Sequence, residues 1–220
     1  MFKSIKGVIF DLDGTLVDSM WIWTKIDLDF IQALNLDTTP DEIMTNVAHF
    51  SFHETARYFR SKFKIEKSIE EIKSLWIDAA MHEYSTNVFL KAGVREFLEE
   101  LYAKGIKMAV ATSNTRELLS ACLDANDIRK YFDVLVTTDE ASAKSKSQPD
   151  VYLLAARSLG ISPSDIVVFE DVPHAMAGAR SAGMRVVGVK DAYTALSDLE
   201  AAQLSDLFIT DFTDLAAIFQ

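Results

Sequence analysis

With 220 residues, 49% of them hydrophobic, the chain is long enough for one large domain or for one domain with a smaller insertion. Its 33 acidic residues outnumber the 22 basic ones, which gives a formal net charge of −11. This balance argues against a nucleic-acid or membrane partner, because neutralising many phosphates requires clustered Lys and Arg, whereas a small phosphorylated ligand needs only a local positive site.

Short apolar runs alternate with helical patterns along much of the chain. Six runs, rich in Val and Ile, are predicted to be strands buried on both faces: 6–10, 107–111, 134–137, 166–169, 185–189 and 207–210. Five helices are predicted between or beside them, at 94–104, 116–126, 150–159, 175–182 and 195–203. This alternation predicts an α/β fold with a parallel sheet and helices on both faces.

Residues 19–88 interrupt this alternation, because they show helical periodicity and no clear strand. Breaks are predicted at 39–40 and 67–68, and Ser68 is predicted to cap a helix before Glu71. We therefore expect a helical module at 19–88, with 1–18 and 89–220 forming the sheet domain and short hinges between the two.

The single cysteine, Cys122, excludes an internal disulfide, which fits a reducing compartment. Cys122 lies in an apolar helical pattern and is predicted to pack in the core. No apolar run reaches the ~18 residues that a transmembrane helix needs, and the N-terminus lacks the pattern of a secretory signal. We expect a soluble, cytoplasmic protein, either a monomer or a small homo-oligomer.

Polar side chains follow three of the predicted strands at the point where each strand ends. They are Asp11 and Asp13, Thr112 to Asn114 with Ser113 between them, and Glu170 with Asp171. In an open parallel sheet the carboxyl ends of the strands form the ligand crevice, so these groups can converge. Four carboxylates in close quarters cannot all stay ionised without a cation, and oxygen ligands of this kind suit Mg²⁺.

The same residue types suit phosphoryl transfer. The carboxylate of Asp11 can attack phosphorus and form an aspartyl-phosphate, and Asp13 can protonate the leaving oxygen and later deprotonate water. Thr112 offers a hydroxyl, and Ser113 and Asn114 offer backbone N–H donors, to the phosphoryl oxygens. A lysine is also needed, and the segment AKSKSQPDVY supplies both Lys144 and Lys146.

At these residues the sequence resembles the haloacid dehalogenase-like (HAD) superfamily of hydrolases. The first motif of that family, Asp-x-Asp-Gly-Thr after an apolar strand, matches residues 11–15, and its second, a Thr or Ser that ends a strand, matches Thr112. Its third is a Lys, often within Gly-Lys-Pro-x-Pro-Asp, which aligns best with Lys146 and leaves Lys144 in reserve. Its fourth, an acidic pair after a strand, matches residues 170–171.

The resemblance implies a Rossmann-like core with a helical cap inserted after the first motif, Mg²⁺ as cofactor and a small phosphorylated metabolite, such as a sugar phosphate, as substrate. It also implies a role for each matched residue. Asp11 would be the nucleophile and a metal ligand, Asp13 the acid/base with its backbone carbonyl on the metal, Asp171 the main further ligand with Glu170 close by, and Thr112 and Lys146 the phosphoryl-binding groups.

Asp13 favours a phosphatase or a phosphomutase, because dehalogenase members of the superfamily lack this second Asp. The chain looks most like the β-phosphoglucomutase-like branch, whose mutases carry a His in the first cap helix. Here that region reads MWIW, with Trp23 near the His position, which favours hydrolysis over the mutase alternative. A phospho-accepting signalling module is less favoured, since receiver domains have about half this length and no cap.

Substrate choice is expected to depend on the inserted module. The candidates are Trp21, Trp23, His49, His53, Arg57, Tyr58 and His82. Packing is favoured for the two tryptophans, and a surface salt bridge is favoured over anion binding for Arg57. Solvated helix positions are favoured for the histidines, and His174 is interpreted as a loop residue.

Overall fold

The computed structural model describes residues 5–47, 50–194, 200, 203–213 and 215. Within these residues the chain forms eight strands and eight α-helices, with short 3₁₀ turns at Arg129–Tyr131 and Pro163–Asp165. The strands are β1 Gly7–Phe10, β2 Val17–Asp18, β3 Phe89–Leu90, β4 Lys107–Thr112, β5 Val134–Thr137, β6 Ile166–Glu170, β7 Arg185–Val189 and β8 Leu207–Ile209. The helices are α1 Met20–Ala33, α2 Pro40–Val47, α3 Phe52–Lys62, α4 Ile69–Thr86, α5 Val94–Ala103, α6 Arg116–Ala125, α7 Asp150–Leu159 and α8 Pro173–Ser181.

The six predicted strands are all present, with bounds that agree within one residue at each end. Four of the five predicted helices are present as α5 to α8. Helix α8 begins two residues earlier than predicted, at Pro173, because proline is well tolerated in the first turn of a helix. The predicted helix at 195–203 lies almost entirely outside the described residues.

The described part of the chain contains a six-stranded sheet in the order β5-β4-β1-β6-β7-β8, and every neighbouring pair is parallel. This arrangement, with helices around it, confirms the predicted α/β fold class. β1 lies between β4 and β6, with Phe10 paired to both Val110 and Phe169. The carboxyl ends of these three strands therefore lie side by side at one end of the sheet. The strand order reverses at β1, which is the position where open α/β sheets bind ligands.

The two faces of the sheet are covered by different helices. Alternate side chains of a strand point to opposite faces, so Val8 and Phe10 join one apolar cluster with α5 and α6, while Ile9 joins a second with α7 and α8. Cys122 is buried in the first cluster, as predicted. Burial on both faces holds β1 rigidly and fixes the position of the residues that follow it.

Helices α1 to α4 all lie between β2 and β3, within the segment predicted as an inserted helical module. β2 and β3 form a two-residue antiparallel ribbon in which Val17 pairs with Leu90, so the chain leaves and re-enters the core at one place. Ser68 is the N-cap of α4 and forms a full capping box with Glu71, which confirms the predicted N-terminus of this helix. The division into domains at 1–18, 19–88 and 89–220 stays a prediction.

Aromatic side chains pack the interior of the four-helix segment. The Trp76 ring lies 5.0 Å from the Phe59 ring and 5.6 Å from the rings of Phe30 and Phe52, centroid to centroid, in edge-on contacts. Helix α4 also packs against α6 of the sheet region. None of the helices in the described parts of the chain combines the length and the apolar character required to cross a bilayer.

Candidate active site

Three buried carboxyl groups meet at the carboxyl ends of β1 and β6. Asp11, Glu170 and Asp171 each offer one oxygen, and these oxygens lie within 4.8 Å of one another. Burial raises the pKa of Asp11 well above its usual range, with repulsion from Glu170 adding to the effect. Burial, and then repulsion from Glu170 and Asp191, raises the pKa of Asp171 to about 7. The ionised cluster is therefore costly unless cations offset its charge.

Lys146 provides part of this compensation. Its Nζ lies 2.8 Å from Oδ1 of Asp11 and forms a second, close ion pair with Oε1 of Glu170. Burial alone would lower the pKa of Lys146, but the carboxylates of Asp11 and Glu170 outweigh it and raise this pKa. Lys146 therefore stays an ammonium, and three carboxylates against one ammonium leave two negative charges.

The donor set fits a hard divalent cation. It consists of carboxylate oxygens alone, its excess charge matches that of one such ion, and Mg²⁺ is bound in proteins through one or two carboxylates. Both oxygens of Glu170 already have partners, since Oε1 accepts a hydrogen bond from Tyr152 and Oε2 accepts one from the backbone N–H of Asp171. The two oxygens of Asp171 also accept one hydrogen bond each, from the hydroxyl groups of Thr15 and Thr194. Asp11, Glu170 and Asp171 are therefore the three carboxyl groups that could hold the ion, and Glu170 also pairs with Lys146.

Two glycines allow this close packing. Gly14 has a left-handed φ of 78°, and a Cβ at this position would lie 2.5 Å from a carboxylate oxygen of Asp171. Gly178 in α8 lies directly against the backbone carbonyl of Lys146, where a Cβ would collide with it. The helix thus supports the loop that carries the lysine. Lys144 is exposed beside a separate surface pocket.

Asp13 lies outside the acidic cluster and has its own network. Its Oδ1 accepts hydrogen bonds from Ser19 (2.6 Å) and from Tyr84, and its Oδ2 accepts one from the side-chain amide of Asn114 (3.0 Å). Burial raises the pKa of Asp13, and these hydrogen bonds oppose the rise. A carboxyl group with a raised pKa that is held apart from the acidic cluster suits proton transfer.

Three polar residues, Thr112 to Asn114, stand at the carboxyl end of β4, and their side chains have different contacts. Thr112 is buried, and its Oγ1 accepts a hydrogen bond from the backbone N–H of Asn114 at 3.0 Å. The Asn114 amide predicted as a phosphate donor is therefore used locally, and the Asn114 side chain instead contacts Asp13 and Tyr84. Ser113 is half-buried and lines the same cavity as Thr112.

A cavity of ≈ 200 Å³ connects these groups with the helical segment. The core residues that line it include all the predicted site residues except Asp171. Its opposite side, which we call the cap-side wall, is formed by Met20, Trp23, Ile26, Asp27, Val47, Phe50, Phe52, Thr55 and Trp76. The cavity therefore extends from Asp11 to this wall.

The candidates predicted to control substrate choice have different outcomes. Trp23 lines the cavity, and so does His174, which lies in α8 rather than in a loop. Trp21 donates a hydrogen bond from its indole N–H to the backbone of Asp18. Arg57 is exposed and paired with Glu54. His53, Tyr58 and His82 are not among the described residues that line the cavity, and His49 lies outside the described residues.

Sequence reasoning missed several groups at the site. Tyr84, Thr15 and Thr194 contact Asp13 or Asp171 across 71, 156 and 23 residues, and no local pattern marks such contacts. Asp27 carried a signal that could have been used. It is four residues after Trp23 and therefore shares its helix face, so an acidic group stands in a predicted apolar stripe.

Comparisons with known proteins agree with this geometry. A family model described as haloacid dehalogenase-like hydrolase matches residues 8–189. A phosphorylated carbohydrates phosphatase of Thermotoga maritima is 31% identical over 191 residues, which cover 84% of this chain and 85% of that protein. The phosphoglycolate phosphatase of Escherichia coli is 27% identical over 97% of this chain and 92% of its own length.

A solved structure has the same fold. The crystal structure of CbbY from Rhodobacter sphaeroides in complex with phosphate is similar to this chain with a TM-score of 0.82 and 25% identity, and the match covers 96% of each chain. Since the family model spans most of the sequence, the resemblance predicted from the four motifs is confirmed. The chain belongs to the haloacid dehalogenase-like hydrolase family.

Proposed function

We propose that this hydrolase is a Mg²⁺-dependent phosphatase that removes phosphate from a small phosphorylated metabolite through an aspartyl-phosphate on Asp11. One observation carries the proposal: an ion-paired Asp11–Lys146 couple, the separately held Asp13 and the hydroxyl of Thr112 all line one cavity. The names of the similar phosphatases support the same reaction class.

Asp11 acts as the nucleophile in this proposal. Among the described residues, its contacts with Lys146 and with the backbone N–H of Leu12 are both made by Oδ1, which leaves Oδ2 available to react. Attack by Oδ2 on phosphorus forms the new P–O bond and breaks the ester P–O bond. Lys146 and Thr112 hold the phosphoryl oxygens during the transfer.

Asp13 acts as acid and then as base. Its proton goes to the leaving alcohol oxygen in the first step, and its carboxylate then takes a proton from the water that attacks the aspartyl-phosphate. Inorganic phosphate leaves and Asp11 is restored. Ser19, Tyr84 and Asn114 hold the Asp13 carboxyl group in place through both steps.

Asp11, Asp171 and the backbone carbonyl of Asp13 would hold Mg²⁺, with Glu170 nearby. When bound, the ion supplies positive charge that offsets repulsion between the carboxylate nucleophile and the phosphoryl oxygens. Helices α1 to α4 form the proposed cap, residues 19–88, over the core residues 1–18 and 89–220.

The proposal is tested by measuring phosphate release from a panel of phosphorylated metabolites with Mg²⁺. Asp11→Asn and addition of EDTA should each abolish release, and fresh Mg²⁺ should restore activity after EDTA. Lys144→Ala is the matched control, since this lysine is exposed and away from Asp11, whereas Lys146→Ala should abolish release. Full activity in Asp11→Asn would reject the proposal.

A sugar phosphomutase is the second candidate, because a solved structure described as a putative β-phosphoglucomutase of Thermotoga maritima shares this fold. Trp23 lines the cavity in the region where the mutases carry a His, which favours hydrolysis. A trace of sugar bisphosphate should start isomerisation in a mutase. Phosphate release without an isomeric product would reject the mutase alternative.

A further inference from the structure

The cap-side wall is almost entirely apolar, and Asp27 is its one charged member. Five of its nine residues have aromatic or branched aliphatic side chains that belong to the hydrophobic core or pack against it: Trp23, Ile26, Val47, Phe52 and Trp76. The Asp27 carboxyl group is half-buried on the same helix as Trp23 and Ile26. Burying an ionised carboxylate among apolar side chains costs free energy unless a cation or a hydrogen-bond donor pairs with it.

Asp27 has no such pair in the described part of the chain. None of the described residues donates a hydrogen bond to it or forms an ion pair with it, and burial alone raises its pKa to about 7. The carboxyl groups of Glu42 and Glu83, also in the four-helix segment, have lysine partners at 2.6 and 2.9 Å. Asp27 therefore differs from them in facing the cavity without a cation.

Within the described part of the chain, the cavity offers no unpaired Lys or Arg for a second anionic group, and His174, its one histidine, belongs to α8 and not to the cap-side wall. Lys146 is the only Lys or Arg among the described residues that line it, and Lys146 is already paired with Asp11 and Glu170. Arg57 and Arg60 line a different surface depression. Two indole rings, Trp23 and Trp76, line the wall together with Asp27, and indole faces attract cations.

We propose that the leaving group of the substrate carries an ammonium group, which pairs with Asp27 on the wall that Trp23 and Trp76 also line, so that the substrate is a phosphomonoester of an amino alcohol. This inference rests on the proposed phosphatase function. It assigns a specificity-determining role to Asp27, and it disfavours substrates with a second anionic group because Asp27 would repel such a group and the described residues of the cap-side wall include no cation.

The experiment compares kcat/KM, with Mg²⁺, for compact esters that differ in one group. Phosphoethanolamine and phosphocholine carry the cation, propyl phosphate is neutral, phosphoglycolate carries a second anion, and glucose 6-phosphate represents the sugar phosphates. The protein should prefer phosphoethanolamine, whose ammonium has N–H donors, over propyl phosphate by about 10- to 100-fold, the range expected for one hydrogen-bonded charge pair. Asp27→Asn should remove most of this preference.

Asp29→Asn is the matched control, because Asp29 lies on the same helix but is exposed, and it should leave the preference unchanged. Asp27→Lys is a second variant, which should turn the preference toward phosphoglycolate. Thermal unfolding of each variant identifies any that fails to fold. The readout is the ratio of kcat/KM between substrates. A variant that loses activity equally toward all substrates keeps this ratio, so a general loss of activity is not mistaken for a change in preference.

The outcomes separate the two proposals. Asp11-dependent hydrolysis that favours glucose 6-phosphate or phosphoglycolate, or a cation preference that survives in Asp27→Asn, would overturn the inference and leave the phosphatase proposal intact. No hydrolysis of any ester, including the activated p-nitrophenyl phosphate, would overturn the phosphatase proposal itself.

Discussion

At the scale of single residues, two Asp side chains two positions apart have different environments. Asp11 contacts an ammonium group and lies within a carboxylate cluster, whereas Asp13 contacts only hydroxyl and amide groups. This difference suits one to be a nucleophile and the other to move a proton. The hydroxyl of Tyr84 joins α4 to Asp13.

Tyr84→Phe should lower kcat by about 10-fold, the usual scale for losing one hydrogen bond to a charged group. The hydrogen bond from Tyr84 holds Asp13 in place and favours its carboxylate form, which the water-attack step needs. The readout is single-turnover kinetics, in which the aspartyl-phosphate should persist longer. Tyr102→Phe, at a side chain that is 62% exposed, should have no effect. Equal kinetics in both variants would contradict the role of Tyr84.

Asp27 should make folding stability depend on pH. Its carboxyl pKa is about 7 in the folded chain against 3.8 in the unfolded one, so the folded state binds the proton more tightly. The contribution of Asp27 to stability is therefore present at low pH and is lost as the pH rises toward 7. Urea unfolding should show a shallower decline from about pH 4 to about pH 7 in Asp27→Asn than in the unchanged protein. Identical slopes would contradict the raised pKa.

At the scale of elements, α8 is placed so close to the Lys146 loop that only glycine fits at the contact. Gly178 faces the carbonyl of Lys146, and the helix packs on β6 and β7 at its other side. A side chain there must displace either the loop or the helix. The position of the lysine thus depends on a residue 32 positions away that touches no substrate.

Gly178→Ala should lower both stability and kcat/KM, since the added methyl group pushes the Lys146 backbone away from Asp11. A loss of about 1–3 kcal/mol in the free energy of unfolding is the normal cost of overpacking. Ala177→Ser, at an exposed position of the same helix, is the control. Unfolding in urea and steady-state kinetics measure both effects. The explanation fails if Gly178→Ala has normal activity.

At the scale of the whole molecule, the topology concentrates charge. Side chains from the ends of β1, β4 and β6, together with one loop lysine, lie around a single cavity although Asp11 and Glu170 are 159 residues apart in sequence. Their repulsion opposes folding, and a bound cation that favours the folded state would offset it.

Mg²⁺ should raise the thermal midpoint of the purified protein, because the proposed site, the carboxylate cluster, is assembled only in the folded chain. At a concentration about 100 times its Kd, the stabilisation should be about 2.7 kcal/mol. Asp171→Asn should remove most of this response, whereas the exposed Asp124→Asn should keep it. An unchanged thermal midpoint on addition of Mg²⁺ would contradict the proposed metal site.

The sequence by itself determined the six core strands, the helices α5 to α8 and the family. Apolar periodicity and strand-end motifs are local features, so they can be recognised without knowing which residues pack together. Only the tertiary structure decided that Lys146 rather than Lys144 contacts Asp11, that Tyr84 contacts Asp13, and that Asp27 faces the cavity. These three placements depend on how the helices and loops pack against the sheet. Such packing brings together residues that are far apart in sequence, and no local sequence pattern predicts which of them will meet.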